Sequence, residues 1–501
     1  MKKFREVEKT KKQYHANSQI NSVHRASLLI PELDGTRVEI SFVNHFLIKR
    51  GYKDIACRIT GVDKNGIRIN SKLYEIDKPQ VYTFTLTEDF NFKANSYIVE
   101  FFSNKNLFIP FPAVIINHRS NKFLNTVHSY NRILNDVFED DKVNEVYVPE
   151  ASIDVCVNKN YDTFVTFHAG MFDVNDTIKF EYVSNKFKFV NKLKINIKRF
   201  NTKTIFLSKL IPGIEKNSDG TLKVFQPKQK MFYGRMLVGI KKKNSECFSA
   251  NHSYYDSSSS PEYWDKNKNS SRLYPFFSQM ENKIKMYPIQ SKGKLIISVN
   301  LFNKKGEQLG NYIIGTLISP GKNKISCSIN KLALKNKVNE KDISSFELIA
   351  NGKNKIPTRC NHQLIYSSKD ELLGASINLS LLNPQMFKKI AKQGISWGQI
   401  VNDKENKSHL GFVYSSSGGK NETLDIKFYD ENGEIGKIKK SLKNRASLII
   451  DVNSAIFKKM LNGKNSGKYI WYIANSKRTD ITSYTVNTNK ISGYSSGEHS
   501  F

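Results

Sequence analysis

The chain has 501 residues and a formal net charge of +32, with 39% hydrophobic and 12% aromatic residues. This composition excludes global disorder, and the length exceeds what one hydrophobic core needs, which predicts three to four domains of roughly 100–200 residues. Five widely spaced cysteines without a CxxC pair give no indication of a zinc knuckle or a redox pair, and no cofactor is predicted.

The excess positive charge favours an anionic partner, such as nucleic acid, a membrane surface or an acidic polymer. Only 14 of the 78 basic residues are arginine, however. Arginine is the side chain that reads phosphates and bases through its planar fork. The lysines are dispersed in pairs and triplets, such as residues 241–243. Nucleic-acid binding is therefore a lesser alternative.

The N-terminal residues, MKKFREVEKTKKQYHANSQ, are basic and lack the apolar core of a signal peptide. No run of about 18 apolar residues predicts a membrane-spanning helix. We expect a cytoplasmic protein without a transmembrane segment, whose residues 1–25 form a short basic tail.

Along the chain, apolar and polar residues alternate with a period of two. Such alternation, rich in valine, isoleucine, phenylalanine and tyrosine, predicts half-buried strands. Helical periodicity is confined to four short segments: 126–138, 330–336, 383–393 and 454–461. An all-β protein is predicted, with strands that include VEISF from Val38, KDIACRI from Lys53, QVYTFTL from Gln80, KLIISVNLF from Lys294 and TLDIKFY from Thr423.

A turn of the form D/N-x-x-G recurs between alternating strands, at residues 63–66, 303–306 and 430–433. The glycine supplies the positive φ that a tight hairpin needs, and the Asx side chain can bond the backbone of its own turn. Each copy predicts a β-hairpin.

A second signature follows each hairpin: an apolar strand, a small residue with asparagine, a basic turn and a further strand. It occupies 97–118, 346–362 and 469–487, and 236–252 fits as a degenerate copy. Asn-His closes it at His118, His252 and His362. We therefore predict four tandem β-sandwich modules of about seven strands each, Ig-like or transducer-like, at 26–145, 146–275, 276–375 and 376–501.

The stretch FSANHSYYDSSSSPEYWD, residues 248–265, concentrates polar and aromatic side chains at a predicted strand end. Its His-Ser-Tyr tripeptide also occurs at 128–130. Two interpretations are open: histidine and asparagine tie a sheet corner to the backbone, or they line a ligand pocket at the open end of each sandwich. The candidate binding residues are His118, His128, Tyr130, His252, Tyr254, Tyr255, Asp256, Trp264 and His362.

No catalytic residue and no metal site are predicted. The ten-residue gap between His118 and His128 fits neither a strand pair nor one helical face, and zinc needs three or four converging ligands. Ser257–Ser260 lacks the G-x-S-x-G elbow of a nucleophile. Cys156, ahead of an alternating strand that ends at His168, is interpreted as a buried cysteine.

Aromatic clusters suggest stacking on sugar rings or bases, or alternatively core packing. One cluster is Tyr254, Tyr255, Tyr263 and Trp264, and another is Trp471, Tyr472 and Tyr484. Because Trp471 and Tyr472 are adjacent on a strand, one of them is expected to face outward. The polar stretches 265–272 and 415–420 are predicted to be exposed loops.

The order "strand, Ser-Asn, short turn, Pro-containing strand, His" resembles the small β-sandwich of the sensory rhodopsin transducer family. Ser103-Asn104 through Ile109-Pro110 to His118 carries the resemblance, and Asn351 through Pro357 to His362 carries it again. Residues 251–256 resemble the polar stretch that follows the histidine in that family. The resemblance implies a protein without enzymatic activity that binds partners, with four tandem copies replacing four subunits of a tetramer.

The sequence thus predicts a non-catalytic binding or scaffold protein. Its ligand is expected to be a protein partner, a carbohydrate or another polyanion, contacted by the loops at the strand ends around His118, His128, His252 and His362. The alternative is an enzyme acting on glycans or activated sugars, with a His/Asp site in the loops after His118 and His252.

Overall fold

The fold is all-β, as predicted, and consists of eight antiparallel four-stranded sheets paired into four sandwich modules. The structure is a computed structural model. It describes residues 24–33, 35–88, 94–103, 112–132, 149–184, 187–218, 220–227, 233–253, 264–265, 269–289, 293–318, 324–353, 355–357, 359–368, 373–381, 394–415, 419, 421–461, 467–477 and 481–501.

Modules 1 and 2 each contribute eight strands to their two sheets. Module 1 contains β1 His24–Pro31, β2 Arg37–Val43, β3 Ile55–Val62, β4 Arg68–Glu75, β5 Val81–Thr85, β6 Ser96–Ser103, β7 Ile115–Ser120 and β8 Phe123–His128, followed by the short β9 Asn131–Arg132. Module 2 contains β10 Pro149–Asp154, β11 Tyr161–His168, β12 Val174–Val183, β13 Lys188–Ile197, β14 Thr202–Phe206, β15 Thr221–Phe225, the short β16 Tyr233–Gly234, β17 Leu237–Lys242 and β18 Phe248–His252.

Modules 3 and 4 repeat the pattern. Module 3 contains the short β19 Trp264–Asp265, β20 Asn269–Pro275, β21 Glu281–Met286, β22 Lys294–Asn303, β23 Gln308–Ile318, β24 Ile325–Ser328, β25 Ile343–Gly352, the short β26 Ile356–Pro357, β27 Cys360–Ser367 and β28 Ala375–Leu381. Module 4 contains β29 Gly394–Val401, β30 Asn406–Val413, β31 Glu422–Asp430, β32 Gly433–Leu442, β33 Ser447–Asp451, β34 Tyr469–Ser476, β35 Thr482–Asn489 and β36 Ser495–His499.

One topology recurs four times. If the eight long strands of a module are counted from its start, one sheet has the order first-sixth-third-fourth and the other has fifth-second-seventh-eighth. Two small ladders are added, β9 with β16 and β19 with β26. Each module therefore has eight principal strands rather than the seven expected from its length.

The D/N-x-x-G turns form hairpins between the third and fourth strands, as predicted. The carboxylate of Asp63 accepts from the backbone of Asn65 and Ile67 at 2.9 and 2.8 Å. The Asn303 side chain accepts from two backbone N–H groups in the same way, at 2.8 and 3.0 Å. The turn glycines Gly66, Gly306 and Gly433 have φ of 77°, 82° and 112°, the left-handed region that glycine enters without a Cβ penalty.

The structure contains four α-helices among its described residues, α1 His45–Arg50, α2 Leu207–Leu210, α3 Ile329–Lys335 and α4 Ala455–Met460. Helices α3 and α4 confirm two of the predicted segments. The prediction at 126–138 is wrong for residues 126–132, which include the end of β8 and all of β9, because edge-strand pairing outweighs local helical periodicity. The prediction at 383–393 lies outside the described residues.

Residues 265–272 were predicted to be an exposed loop within module 2, but residue 265 lies in β19 and residues 269–272 begin β20. This strand pairs with β25 over its whole length, from Asn269 opposite Asn351 to Pro275 opposite Ser345. It therefore belongs to the sheets of module 3, although it precedes the boundary predicted near 276. The four boundaries remain predictions. Of the second predicted loop, 415–420, residues 415 and 419 are described and lie outside strands.

The modules pack head to tail. The first and sixth strands of each module face the second sheet of the next one. Between modules 1 and 2, Asn201 donates to the Asp63 carbonyl at 2.9 Å. Between modules 2 and 3, Asp154 forms ion pairs with Lys285 and, at 2.5 Å, with Lys324. Between modules 3 and 4, Ser447 N donates to the Ser344 hydroxyl at 2.9 Å.

Module 4 packs in the same manner on module 1, which closes a ring of four modules. The Glu39 carboxylate on β2 accepts from Lys468 at 2.6 and 2.7 Å and from the Tyr469 hydroxyl on β34. The Trp471 indole donates to the Ser41 hydroxyl at 2.7 Å. These pairs join residues 429 or 430 positions apart, so contacts between the first and last modules close the ring.

A second set of polar contacts reinforces this interface. Arg119 forms ion pairs with Asp403 at 2.5 Å and with Glu405 at 2.6 Å. The amides of Asn117 and Gln399 form two reciprocal hydrogen bonds of 3.0 Å. Removing one member of such a buried set would leave its partner desolvated and unpaired.

Ring closure also explains why the aromatic prediction at residues 471–472 is wrong. Trp471 and Tyr472 do face opposite sides of β34, but both are buried. Tyr472 faces the core of module 4, where its hydroxyl lies 2.8 Å from that of Ser483, whereas Trp471 faces module 1. Among the described helices, none combines the length and apolar character needed to cross a bilayer.

Candidate functional site

The eighth strands of the four modules, β8, β18, β28 and β36, surround the centre of the ring and are here called the axial strands. Each contacts the axial strands of both neighbouring modules. Strands β8 and β36 run in the same direction, because Thr126 meets Ser496 and His128 meets Glu498. Increasing residue numbers also meet in the same order between β8 and β18, at 125 with 250 and 128 with 252, and between β18 and β28, at 249 with 374 and 252 with 378. All four therefore end at one end of the axis.

Side chains, rather than backbone ladders, make most of the contacts between axial strands. Asn125 Oδ1 accepts from Ala250 N at 2.7 Å, and the Ser249 hydroxyl donates to the Gly374 carbonyl at 2.5 Å. These bonds satisfy backbone groups that an edge strand would otherwise leave buried and unpaired.

Three histidines converge where the axial strands end. One ring nitrogen of each of His128, His252 and His499 lies within 4.8 Å of the other two. The ring centroid of His128 lies 4.6 Å from that of His252 and 4.9 Å from that of His499. They come from modules 1, 2 and 4, so the cluster exists only in the closed ring. Three imidazoles at this separation are a donor set suited to a transition metal.

A buried carboxylate completes this axial histidine cluster. Glu498 is 2% exposed, and its Oε2 lies 3.0 Å from His128 Nδ1 and accepts from His128 N at 3.1 Å and from Asn251 Nδ2 at 3.2 Å. Burial alone would raise the pKa of Glu498, but its electrostatic interaction with His128 lowers it to about 2. The group is therefore an anion at neutral pH.

Module 3 contributes no histidine to the cluster. On its axial strand Asn378 donates to the His252 carbonyl at 2.6 Å. Arg235, beside the cluster, has Nη1 3.3 Å from Nδ1 of His252 and 3.5 Å from its Nε2. Burial and this guanidinium hold the pKa of His252 well below its usual range, and burial lowers that of His499 to about 4.

His118 and His362 lie away from the cluster. Each is on the seventh strand of its module, and each is at most 1% exposed. His118 packs edge-on against Phe248, 5.7 Å between centroids. Nε2 of His362 is hydrogen-bonded to the Tyr274 hydroxyl, and its Nδ1 lies 3.2 Å from the Cys360 carbonyl. The sheet-tying interpretation fits His362, whereas neither ring nitrogen of His118 has a hydrogen-bond partner among the described residues.

The predicted aromatic contacts are also placed inside the fold where they are described. Tyr130 is 1% exposed and packs on His168, 5.3 Å between centroids. Trp264 is half-buried in the core of module 3, where β19 pairs it with Pro357. Tyr254, Tyr255, Asp256 and Tyr263 lie outside the described residues.

The structure corrects one equivalence. His252 ends an axial strand, whereas His118 and His362 lie on seventh strands, so His252 corresponds to His128 and not to them. The shared His-Ser-Tyr of 128–130 and 252–254 was the correct signal. A third copy with phenylalanine, His499-Ser500-Phe501, would have added His499 to the cluster; no sequence signal identified Glu498.

No family model matches the chain, and no curated protein does. A search of solved structures finds a similarity to a calcium-binding mutant of Bacteroides uniformis beta-glucuronidase 2, at 9% sequence identity and a TM-score of 0.13. The match covers 55% of this chain and 29% of that one. A TM-score this low carries no argument about fold or function.

Proposed function

We propose that the chain is a non-catalytic binding and scaffold protein that presents one end of its ring to a ligand. The observation that carries the proposal is the convergence of His128, His252 and His499, from three modules, at the point where the axial strands end. The chain also leaves β8, β18 and β28 towards the next module at this end. The described residues at the strand ends, 129–132, 253 and 500–501, therefore lie next to the cluster on a rigid scaffold, as a binding surface requires.

The ligand class we favour is a polyanion, such as an acidic carbohydrate, ahead of a protein partner. The net charge of +32 supports this choice because it raises the local concentration of anionic ligands. The ring of four modules also supports the proposal, raised by the resemblance to the transducer family, that tandem copies take the place of separate subunits. A cytoplasmic location remains part of the same proposal.

The alternative function is an enzyme for glycans or activated sugars. It places a His/Asp pair in the loops after His118 and His252. His118 lies within β7 and is 1% exposed, and His252 is 0% exposed, so a bulky sugar has no access to either ring. The loop after His252 lies outside the described residues, so the alternative depends on that loop alone.

A sulfated heparin-type oligosaccharide tests the proposal. The full chain, kept in EDTA, should bind it with an affinity that falls steeply as salt rises, since bound counterions are released. His499→Ala should weaken binding several-fold, whereas the buried control His362→Ala should not. A salt-independent affinity, or equal loss in both variants, would contradict the proposal. Turnover of an activated sugar that is lost in His252→Ala would favour the enzyme instead.

A further inference from the structure

The axial histidine cluster has the features of a metal centre. We infer that His128, His252 and His499 bind one divalent transition metal of the zinc class on the axis of the ring. This inference deepens the proposed function, on which its biological role rests, because it assigns a ligand to the same end of the axis.

Two of the imidazoles, those of His252 and His499, are oriented by a bond at Nδ1, as metal-binding histidines are. Nδ1 of His252 lies 2.9 Å from the Ser253 carbonyl, and Nδ1 of His499 lies 2.7 Å from the Ser500 carbonyl. Nδ1 of His128 lies 3.0 Å from the Glu498 carboxylate. A carbonyl or carboxylate acceptor at Nδ1 selects the tautomer in which Nε2 carries the lone pair. In His252 and His499 this leaves Nε2 as the basic nitrogen.

The Nε2 atom of His499 gives independent support. It is buried and has no hydrogen-bond partner among the described residues. A buried ring nitrogen with a lone pair and no donor is costly unless something binds it. A metal ion at the centre of the cluster would satisfy it together with the rings of His128 and His252.

The donor set selects the class of metal. Three neutral nitrogen ligands suit zinc, cobalt, nickel or copper, whereas magnesium and calcium require oxygen ligands. Zinc–nitrogen bonds of about 2.0–2.1 Å place tetrahedral ligand atoms about 3.4 Å apart. The ring nitrogens lie within 4.8 Å of one another. Small side-chain rotations that move each nitrogen by about one ångström would bring them to that separation.

Three protein ligands leave one coordination position open. Glu498, whose Oε2 lies 3.0 Å from His128 Nδ1, supports this ring in the carboxylate–histidine–metal arrangement. Arg235, with Nη1 3.3 Å from Nδ1 of His252, opposes a bare cation and favours an anionic fourth ligand. The site is therefore suited to a metal that carries an anion.

The test uses tag-free full-length protein, stripped with EDTA and dialysed at pH 7.5. Zn²⁺ alone, titrated by calorimetry, should bind one ion per chain with a Kd on the order of micromolar or tighter. Co²⁺ should give the intense visible absorption of a tetrahedral site, which Zn²⁺ then removes. This cobalt spectrum needs no variant to fold.

Variants locate the site. His499→Gln should weaken zinc binding by at least about tenfold and Glu498→Gln by roughly 10–100-fold. The matched control His118→Gln, another buried histidine outside the cluster, should bind as the wild type does. If His499→Gln fails to fold by circular dichroism, His128→Gln replaces it. Absence of binding below about 100 µM Zn²⁺, or unchanged affinity in His499→Gln, would overturn the inference.

The zinc and oligosaccharide experiments can fail separately. Oligosaccharide binding is measured in EDTA, and zinc binding is measured without oligosaccharide. Zinc binding without any oligosaccharide affinity would retain the metal centre and remove the proposed ligand. Oligosaccharide binding without zinc affinity would retain the proposed function and overturn the metal centre.

Discussion

Two sets of edge strands differ sharply in this ring. The fourth strands of the modules lie at the outside, and in β4, β13 and β32 they carry exposed basic residues, with lysines 192 and 194 as examples. The axial strands are edges too, but β8, β18, β28 and β36 are almost wholly buried. They carry asparagine, serine, threonine and histidine where the outer strands carry lysine.

The difference shows how one sandwich manages its two kinds of edge. An exposed edge strand must resist pairing with other chains, and lysine provides that resistance. A buried edge must instead find partners for its backbone groups. Asn125, Ser249 and Glu498 provide those partners from the neighbouring module. Polar residues that would mark a solvated strand end in an isolated sandwich thus form the centre of the assembly.

The largest expected effect comes from removing a carboxylate at the ring closure. Glu39→Ala should lower the free energy of unfolding by about 2–4 kcal/mol, because Lys468 and the Tyr469 hydroxyl lose their buried partner. Glu75→Ala, on the exposed face of β4, is the matched control and should change it by less than about 0.5 kcal/mol. Urea unfolding monitored by tryptophan fluorescence measures both. Equal effects would contradict the closed ring.

The axial edge can be tested at a single hydrogen bond. Asn125→Ala should cost about 1–3 kcal/mol of unfolding free energy, because the buried Ala250 N–H loses its acceptor. Asn70→Ala, an exposed asparagine of the outer strand β4, should cost less than about 0.5 kcal/mol. The comparison would fail if the two asparagines proved equally dispensable in urea unfolding.

Buried histidines away from the cluster make stability depend on pH. Burial lowers the pKa of His118 to about 4 and those of His168 and His362 to about 3, against about 6.5 in the unfolded chain. The folded state keeps these rings neutral, whereas the unfolded chain protonates them below about pH 6.5. The free energy of unfolding is therefore highest above pH 6.5 and decreases as the pH falls towards 4. The melting temperature should therefore drop across this range.

The slope of that loss identifies the residues. Each buried histidine adds up to about 1.4 kcal/mol per pH unit, since unfolding takes up one proton. His118→Gln and His362→Gln should each make the decline between pH 6.5 and 4 shallower. A decline that was unchanged in both variants would mean that other groups control acid unfolding.

The comparison also explains what the sequence could and could not predict. The strands, the D/N-x-x-G hairpins and the sandwich repeat follow from local period and turn chemistry. VEISF at residue 38 was read as half-buried, yet its polar residues Glu39 and Ser41 are buried against module 4. An alternation of apolar and polar residues shows that the two faces of a strand differ in polarity. It does not show whether a neighbouring module covers the polar face.

The candidate site shows the same limit. His128 and His252 were identified through a shared tripeptide, but spacing along the chain argued against a metal. The third ring, His499, lies 247 positions after His252 and reaches the cluster only because the ring closes. Distances between ligands from separate modules are set by packing, which no single-sequence pattern contains. An axial carboxylate such as Glu498 is equally invisible until its neighbours are known.

The smallest expected effect on stability comes from the outer edge. Lys192→Thr with Lys194→Thr on β13 should change the free energy of unfolding by less than about 0.5 kcal/mol, because both side chains are exposed. The same double variant should associate as its concentration rises, since threonine favours strand pairing and no longer repels a second edge. Sedimentation velocity over a concentration series measures this, with Lys304→Thr in a turn as control. If the control also associates, the effect is due to net charge. If only the edge variant associates, lysine prevents the outer strands from pairing with other chains, whereas the axial strands find their partners within the chain.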